Sequence, residues 1–191
     1  MNTLVRDACA LVMERDVPLL ATTERVVVAR LLVYLDRAVR QHEQLHDYDV
    51  DFEYERAGVN VKGFAGRRAQ DADGIQASFR RKIVPDLLIH KRTVNDATSN
   101  LLAIEVKTDP DAGLGPDQTK LTLMTDPDAW AAVYPVGVRG GTRLALGRGP
   151  RPRDIDTAAL PHVVHPYAHG VLIDFRTVGQ FPALQWFHRR V

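Results

Sequence analysis

Three charged residues interrupt two apolar runs of the sequence, and their side chains have the clearest potential for chemistry. Asp86 lies in the run 83–90, while Glu105 and Lys107 lie in the run 101–107. Burying a charge is costly unless the charge is paired or binds a metal. Two carboxylates that lie close together also repel each other, and a hard divalent cation such as Mg²⁺ relieves that repulsion. The pattern therefore favours a polar site with a cation as its ligand.

The two apolar runs are predicted to be neighbouring β-strands. Both contain β-branched residues, and the segment 91–100 between them is rich in turn formers, which indicates a hairpin with a long loop. Alternate residues of a strand share a face, so Glu105 and Lys107 point the same way, about 6.7 Å apart along the strand. If Asp86 pairs opposite the Glu105 region, two carboxylates and one ammonium group converge.

Helices are predicted on both sides of this hairpin. Apolar residues at helical spacing indicate a short helix over residues 3–15 and a stronger one over 22–41, which Thr22 or Thr23 can cap. A further helix is expected near 117–125, after a loop that is rich in Asp, Gly and Pro. The helices must therefore pack on a sheet that contains the two charged strands.

Glu24 could add a third acid to the site. It lies four residues before Val28, on the same stripe as the apolar residues of the second helix. Two interpretations stay open. Either Glu24 stabilises the helix N-terminus electrostatically, or its carboxylate joins Asp86 and Glu105.

The remaining segments supply auxiliary residues. Residues 50–56 alternate between apolar and acidic, which predicts a strand with one buried face. Its acidic face is either a solvated surface or, through Glu53, a source of an extra acid for the site. Gln118 and Lys120 in the first turn of the helix near 117–125 can face the site. The segments 170–175 and 184–188 are predicted to be a closing pair of strands.

Two segments rich in glycine and basic residues, 57–82 and 137–161, are predicted to be loops. They are either solvated surface or contacts to phosphate groups of a nucleic acid. The candidate nucleic-acid-binding residues are Arg67, Arg68, Arg80, Arg81, Lys82, Arg139, Arg143 and Arg148.

The length, net charge and cysteine content of the chain limit which folds and functions are possible. The 191 residues suit one domain, and the net charge of +1 means that any basic surface must be local. Cys9 is the only cysteine, which excludes an intramolecular disulfide and fits a cytoplasmic location. We predict no signal peptide and no membrane span. Phosphate-cradling loops, paired-cysteine metal motifs and the serine-hydrolase elbow are also absent from the sequence.

Pro85-Asp86 and Glu105-Val106-Lys107, in the order helix, three strands, helix, resemble the motif of the PD-(D/E)XK nuclease superfamily. This is the fold of many restriction enzymes and Holliday-junction resolvases. Residues 22–125 and 167–176 also look like a group of small uncharacterised bacterial proteins of this superfamily. The departure is an Arg/Gly-rich insertion near 126–166. The resemblance implies one α/β domain over 1–191, with a restriction-endonuclease-like core in which helices flank a central mixed β-sheet in αβββαβ order.

The resemblance also implies a function. Mg²⁺, or Mn²⁺ as a substitute, would be held by Asp86, Glu105 and the backbone carbonyl of Val106, with Glu24 binding through water or supporting a second metal. Lys107 would be catalytic as a cation that orients the attacking water, while the auxiliary residues would be Gln118, Lys120 and Glu53.

The expected activity is hydrolysis of phosphodiester bonds in DNA, in repair, restriction or phage defence. A homodimer would allow both strands to be cut, and no organic cofactor or membrane is expected. RNA is an alternative substrate. A different class of function also stays open, namely a catalytically weak or inactive nuclease-fold module that binds nucleic acid or a protein partner.

Overall fold

The computed structural model describes residues 1–53, 84–92, 98–126, 166–177 and 179–189, and the backbone of four short strands between residues 56 and 82. In these residues the helices are α1 (Asn2–Arg15), α2 (Glu24–Gln41) and α3 (Gly115–Thr125), with a 3₁₀ turn at Val17–Ala21. The strands are β1 (Asp49–Phe52), β2 (Arg56–Ala57), β3 (Asn60–Val61), β4 (Gly63–Arg67), β5 (Ser78–Lys82), β6 (Leu87–His90), β7 (Asn100–Lys107), β8 (His169–Asp174) and β9 (Ala183–His188).

A mixed five-stranded sheet forms the centre of the fold, in the order β1-β6-β7-β8-β9. Strands β1, β6 and β7 form an antiparallel meander. Strand β8 then pairs parallel to β7, and β9 returns antiparallel to β8. The predicted α/β class, the three-strand meander and the closing pair of strands are confirmed.

The two faces of the sheet are covered by different helices. Helices α1 and α2 pack on one face, where Leu31 and Leu35 of α2 meet Ile104 of β7 in one buried cluster. Helix α3 packs on the other face through Leu121, which joins a smaller cluster with Leu88 and other sheet residues. The helices form because their apolar residues recur at the spacing of one helical face, as predicted.

Gly170 of β8 packs tightly against α3. A Cβ atom there would lie 3.2 Å from Cδ2 of Leu121 and 3.3 Å from Cγ2 of Thr125. A larger residue would need these two side chains to move by a few tenths of an ångström. The absence of a side chain at position 170 therefore favours the close contact between α3 and β8.

The structure corrects several boundaries. The strand predicted over 50–56 ends at Phe52, because Glu53 has a φ of 44°, in the left-handed region that non-glycine residues rarely adopt. The segment 57–82, predicted to be a loop, contains the paired strands β2–β3 and β4–β5. The alternation of polar residues and glycine there gave no strand signal, because strand prediction relies on β-branched and aromatic residues.

Prolines explain two further shifts. The strand predicted to begin at residue 83 begins at Leu87, since Pro85 has no N–H to donate to a neighbouring strand. Helix α3 begins at Gly115, two residues before the predicted start, with Pro116 in its first turn. Thr23 occupies the N-cap position of α2 as predicted, but its side chain makes no capping hydrogen bond. The insertion predicted near 126–166 lies outside the described residues apart from its two ends.

Candidate functional site

Asp86 and Glu105 lie side by side where β6 begins and β7 nears its end. Leu87 pairs with Ile104, so the preceding residue Asp86 comes next to Glu105. The Asp86 carboxylate accepts a hydrogen bond from the Val106 N–H, with Oδ2 2.8 Å from N. Both acids share the face that α3 covers, because they alternate in phase with the apolar residues that pack on α3. The predicted convergence of the two carboxylates is therefore present in the fold.

The backbone of Val106 offers a further oxygen at this point. The carbonyl of Lys107 accepts a hydrogen bond from Phe175 on the β8 side of the strand. Neighbouring residues of a strand direct their backbone groups to opposite sides, so Val106 directs its N–H and C=O toward the β6 side. Two more steps of the register would place Pro85 opposite Val106, and proline cannot donate a hydrogen bond. The Val106 carbonyl therefore faces the side of the strand on which Pro85 lies, and Pro85 cannot donate a hydrogen bond to it.

Both carboxyl groups hold protons more tightly than usual. Burial raises the pKa of Asp86 to about 6; the Val106 N–H opposes this rise and the Glu24 charge adds to it. Burial raises the pKa of Glu105 to about 9, and the neighbouring Asp86 charge contributes. Such shifts are typical of sites where carboxylates share one location. A positive charge between these two buried acids would favour their ionised forms.

The surroundings of the Glu105 carboxyl group indicate whether a metal would fit at this site. Glu105 is 1% exposed, and its Oε1 atom is buried without a hydrogen-bond partner among the described residues. An unsatisfied buried acceptor is costly, and a hard cation would satisfy it. No set of three or more His, Cys, Asp or Glu side chains converges on one point in the part of the chain that the structure describes. The donor set of Asp86, Glu105 and the Val106 carbonyl suits Mg²⁺, which takes one or two protein carboxylates and completes its shell with water and phosphate.

Lys107 lies beside this pair and is held in its charged form. Its Nζ atom is 3.2 Å from Oε1 of Glu24 and 3.1 Å from Oδ2 of Asp117. Burial lowers the pKa of Lys107, but the hydrogen bond and charge of Asp117, together with Glu24, outweigh it, so the pKa lies above its usual value. Lys107 is therefore a fixed cation rather than a proton acceptor at neutral pH.

Glu24 reaches the site from the opposite layer. Helix α2 packs on the other face of the sheet, yet Glu24 at its first position contacts Lys107 past the end of β7. Its charge also acts on Asp86. Glu24 thus begins α2 and pairs with Lys107, but it does not join Asp86 and Glu105 in a set of three metal-binding acids among the described residues, and both interpretations stay open.

Helix α3 contributes Lys120 as predicted, and one acid that sequence reasoning did not single out. Lys120 Nζ lies 2.7 Å from Oε2 of Glu105, whereas the Gln118 side chain donates instead to Gln185 on β9. Asp117 is buried and contacts both lysines of the site. The available signal was its spacing, since it lies three residues before Lys120 and four before Leu121 on the buried face of α3.

Glu53 lies close to the site, but its carboxylate turns away from it. Its N–H donates to the backbone carbonyl of Asp86 at 3.0 Å, while its side chain pairs with Arg25 at 3.2 Å. Asp51, on the face predicted to be solvated, is instead largely covered and pairs with His90, with Oδ2 2.7 Å from Nε2. Asp51 and Glu53, on the face predicted to be acidic, therefore both form ion pairs.

A groove leads away from the Glu24 and Lys107 end of the cluster. Its volume is about 740 Å³, and it runs from Thr22 and Thr23 before α2 to Arg176 after β8. Arg176 is held in place by Asp174, with Nη2 2.7 Å from Oδ2. Glu24 and Lys107 line the groove, whereas Asp86 and Glu105 do not.

The predicted nucleic-acid-binding residues fall largely outside the described part of the chain. The backbone of Arg67, Arg80, Arg81 and Lys82 lies on β4 and β5, whose side chains are not described. Arg68, Arg139, Arg143 and Arg148 lie outside the described residues altogether. Their predicted contacts to phosphate groups stay predictions.

None of the helices in the described ranges combines the length and apolar character that a bilayer crossing needs.

Comparison of the chain with protein-family models, with curated proteins and with solved structures gave no significant match. Known proteins therefore do not narrow the interpretation of this site.

Proposed function

We propose that this protein is a divalent-metal-dependent nuclease that hydrolyses phosphodiester bonds in DNA and has a restriction-endonuclease-like core of the PD-(D/E)XK type. The observation that carries the proposal is the Glu105 carboxylate. It is buried next to Asp86, and its Oε1 atom has no hydrogen-bond partner among the described residues. A cation site of this kind gains a function when phosphate oxygens complete the coordination of the metal.

The order of the elements supports the proposal. Asp86 directly precedes the second strand of the antiparallel meander, Glu105 and Lys107 lie on its third strand, then α3 and the parallel strand β8 follow. Apart from α1, β2–β5 and β9, this order agrees with the αβββαβ order that the resemblance of the sequence implies. The motif and the arrangement of the strands thus point to the same class of enzyme.

Each side chain has a role that its surroundings allow. Asp86, Glu105 and the Val106 carbonyl would hold Mg²⁺, which when bound lowers the pKa of water and offsets the charge that builds on the scissile phosphate. Lys107, kept charged by its neighbours, would orient the attacking water and stabilise the developing negative charge. The water oxygen bonds to phosphorus, the ester bond to the leaving oxygen breaks, and a proton passes to that oxygen. Glu24 would fix Lys107, whose Nζ atom lies 3.2 Å and 3.4 Å from its two carboxylate oxygens.

The groove beside the cluster supports a polymeric substrate. Its lining includes the hydroxyl group of Thr23 and the guanidinium of Arg176, whereas the Thr22 hydroxyl donates to the Leu19 carbonyl. Hydroxyl and guanidinium groups are common donors to nucleic-acid phosphates. We assign Thr23 and Arg176 to backbone contacts that position the strand without reading its sequence.

One observation favours the alternative, a nuclease-fold module that binds without cleaving. Lys120 and Lys107 already pair with acids of the cluster, so the acids are partly neutralised without a metal. Such a protein would bind nucleic acid or a protein partner and show no metal-dependent cleavage.

Cleavage assays separate the two functions. Plasmid, linear and branched DNA, and RNA, are incubated with the parent protein and Mg²⁺ or Mn²⁺, beside Asp86→Ala and Lys107→Ala. We expect the parent to cut DNA and both variants to lose about 100-fold or more of the rate, with unchanged circular dichroism. Asp7→Ala, which removes an exposed acid of α1 outside the groove, is the matched control and keeps its activity. A parent that binds no divalent metal and cuts no nucleic acid contradicts the proposal.

A further inference from the structure

Lys120 already occupies part of the place that a metal would take. Its Nζ atom lies 2.7 Å from Oε2 of Glu105, one of the proposed metal ligands. The side chains of Glu105 and Lys120 are 2% and 24% exposed, so this ion pair is largely shielded from water. Its positive charge also acts on Asp86, the second proposed ligand. The ammonium group therefore acts on the same two carboxyl groups that a divalent cation would bind.

Asp117 offers Lys120 a second position. Its Oδ1 atom is 3.4 Å from Lys120 Nζ, while its Oδ2 atom pairs with Lys107 at 3.1 Å. Asp117 and Lys120 lie three residues apart on α3, a spacing at which side chains on one helix face meet. Lys120 can therefore move from Glu105 to Asp117 by rotation of its own side chain, while helix α3 stays in place.

We propose that Lys120 is an internal counter-cation that a divalent metal displaces, and that Asp117 receives its ammonium group when the metal binds. The inference rests on the proposed metal site at Asp86 and Glu105, but it does not require cleavage. Asp117 acts as a positioning residue for two lysines, since it pairs with Lys107 through one oxygen and with Lys120 through the other. The buried carboxylates then have a cation beside them both before and after the metal binds.

Calorimetric titration of Mg²⁺ and Mn²⁺ tests this exchange in the parent, Lys120→Met, Asp117→Asn and the double variant. Removal of the competing ammonium group should tighten binding about tenfold in Lys120→Met, which corresponds to about 1.4 kcal/mol. Removal of the receiving carboxylate should weaken binding several-fold in Asp117→Asn. The double variant should bind like Lys120→Met, because Asp117 has no ammonium group left to receive.

A simple change of charge predicts a different result. If Lys120 and Asp117 act only through their distant fields, their opposite effects add, and the double variant binds like the parent. Arg25→Met is the matched control, because it removes a positive charge next to Glu24 that contacts neither Glu105 nor Asp86; we expect less than a twofold change. Additive effects, a Lys120→Met variant that binds no tighter, or no metal binding by any of the four proteins would overturn the exchange.

A structural measurement covers the case in which a variant fails to fold. Crystals of the parent protein soaked in Mn²⁺ should show the metal on Asp86 and Glu105, with Lys120 Nζ separated from Glu105 and closer to Asp117 than the 3.4 Å of the metal-free structure. An ammonium group that stays on Glu105 beside the bound metal would overturn the proposal. Metal binding with this exchange but without cleavage would contradict only the nuclease function, while cleavage with additive charge effects would contradict only the exchange.

Discussion

The Val106 amide N–H donates to the Asp86 carboxylate across 2.8 Å, and this bond joins the two halves of the motif. It holds Asp86 against the third strand of the meander and directs the acid toward Glu105. The bond also tempers the rise in the pKa of Asp86 that burial causes. One side chain thus accepts the Val106 N–H beside Pro85 and connects the two parts of the motif.

Mg²⁺ should stabilise the folded protein. A ligand that binds only the folded state at ten times its Kd adds about 1.4 kcal/mol, which raises Tm by about 3–5 °C for a domain of this size. Differential scanning fluorimetry with and without Mg²⁺ measures the shift. Asp86→Asn should abolish it, whereas Asp109→Asn, a change to an exposed acid, should keep it. An equal shift in parent and Asp86→Asn would place the metal elsewhere.

The stability of the metal-free protein should fall as the pH rises from about 5 to 9. The pKa of Glu105 is raised to about 9 when folded, above the value of about 4.3 that an unfolded glutamate has. The folded state therefore binds more protons in this window, and its advantage is lost as Glu105 ionises. Urea unfolding at several pH values measures the slope.

Glu105→Gln isolates this contribution, since its amide does not titrate. The difference in unfolding free energy between parent and variant should change across pH 5–9 and stay constant below pH 4. Asp86, whose pKa is raised to about 6, adds to the lower part of the same window, and Asp117, whose pKa is lowered, acts below it. Parallel curves for parent and Glu105→Gln would show that Glu105 ionises as an ordinary surface acid.

Glu24→Gln should reduce cleavage while leaving the fold intact. Glu24 is partly exposed, with 32% of its side chain accessible, so its loss should change stability by less than about 1 kcal/mol. Lys107 would lose one of its two acidic partners, and we expect a loss of about tenfold in kcat from its poorer orientation. Arg25→Gln, the neighbouring change on α2, is the control. Full activity in Glu24→Gln would limit its role to the start of the helix.

Gly170→Ala should destabilise the protein by about 1–3 kcal/mol, the usual cost of adding a methyl group to a tightly packed contact. The new Cβ would lie 3.2 Å from a Leu121 side-chain atom and 3.3 Å from one of Thr125, so these α3 side chains must move. Gly113→Ala, where nothing lies within 4 Å, should be neutral. Chemical denaturation measures both, and equal stability of the two variants would contradict a close contact at position 170.

Much of the site was predictable from the sequence because short-range rules fix it. The period of two along β7 places Glu105 and Lys107 on one face, and the helical stripe of α2 places Glu24 toward the sheet. These rules use only neighbouring residues, and the structure bears them out. The pairing of β6 with β7 followed from the short distance between them in the chain.

Asp117 and the end of β1 were not predictable in the same way. An acid in the first turn of a helix is common for electrostatic reasons, so its type alone did not indicate burial. Its direction depends on how α3 rests on β8, which Leu121 and Gly170 decide from distant parts of the chain. Glu53 adopts a left-handed backbone without being glycine, and no local pattern predicts that choice.

The ion pair between Glu24 and Lys107 joins residues 83 positions apart in the chain. This separation limits how early during synthesis the cluster can form. During synthesis, α2 leaves the ribosome well before β7, so the amino-terminal part of the chain cannot assemble the site alone. Contacts between distant residues close slowly, because the loop between them must first be ordered. A nascent or truncated chain therefore lacks the complete cluster, which would delay any cutting activity until the chain has been translated past Lys107 and has folded.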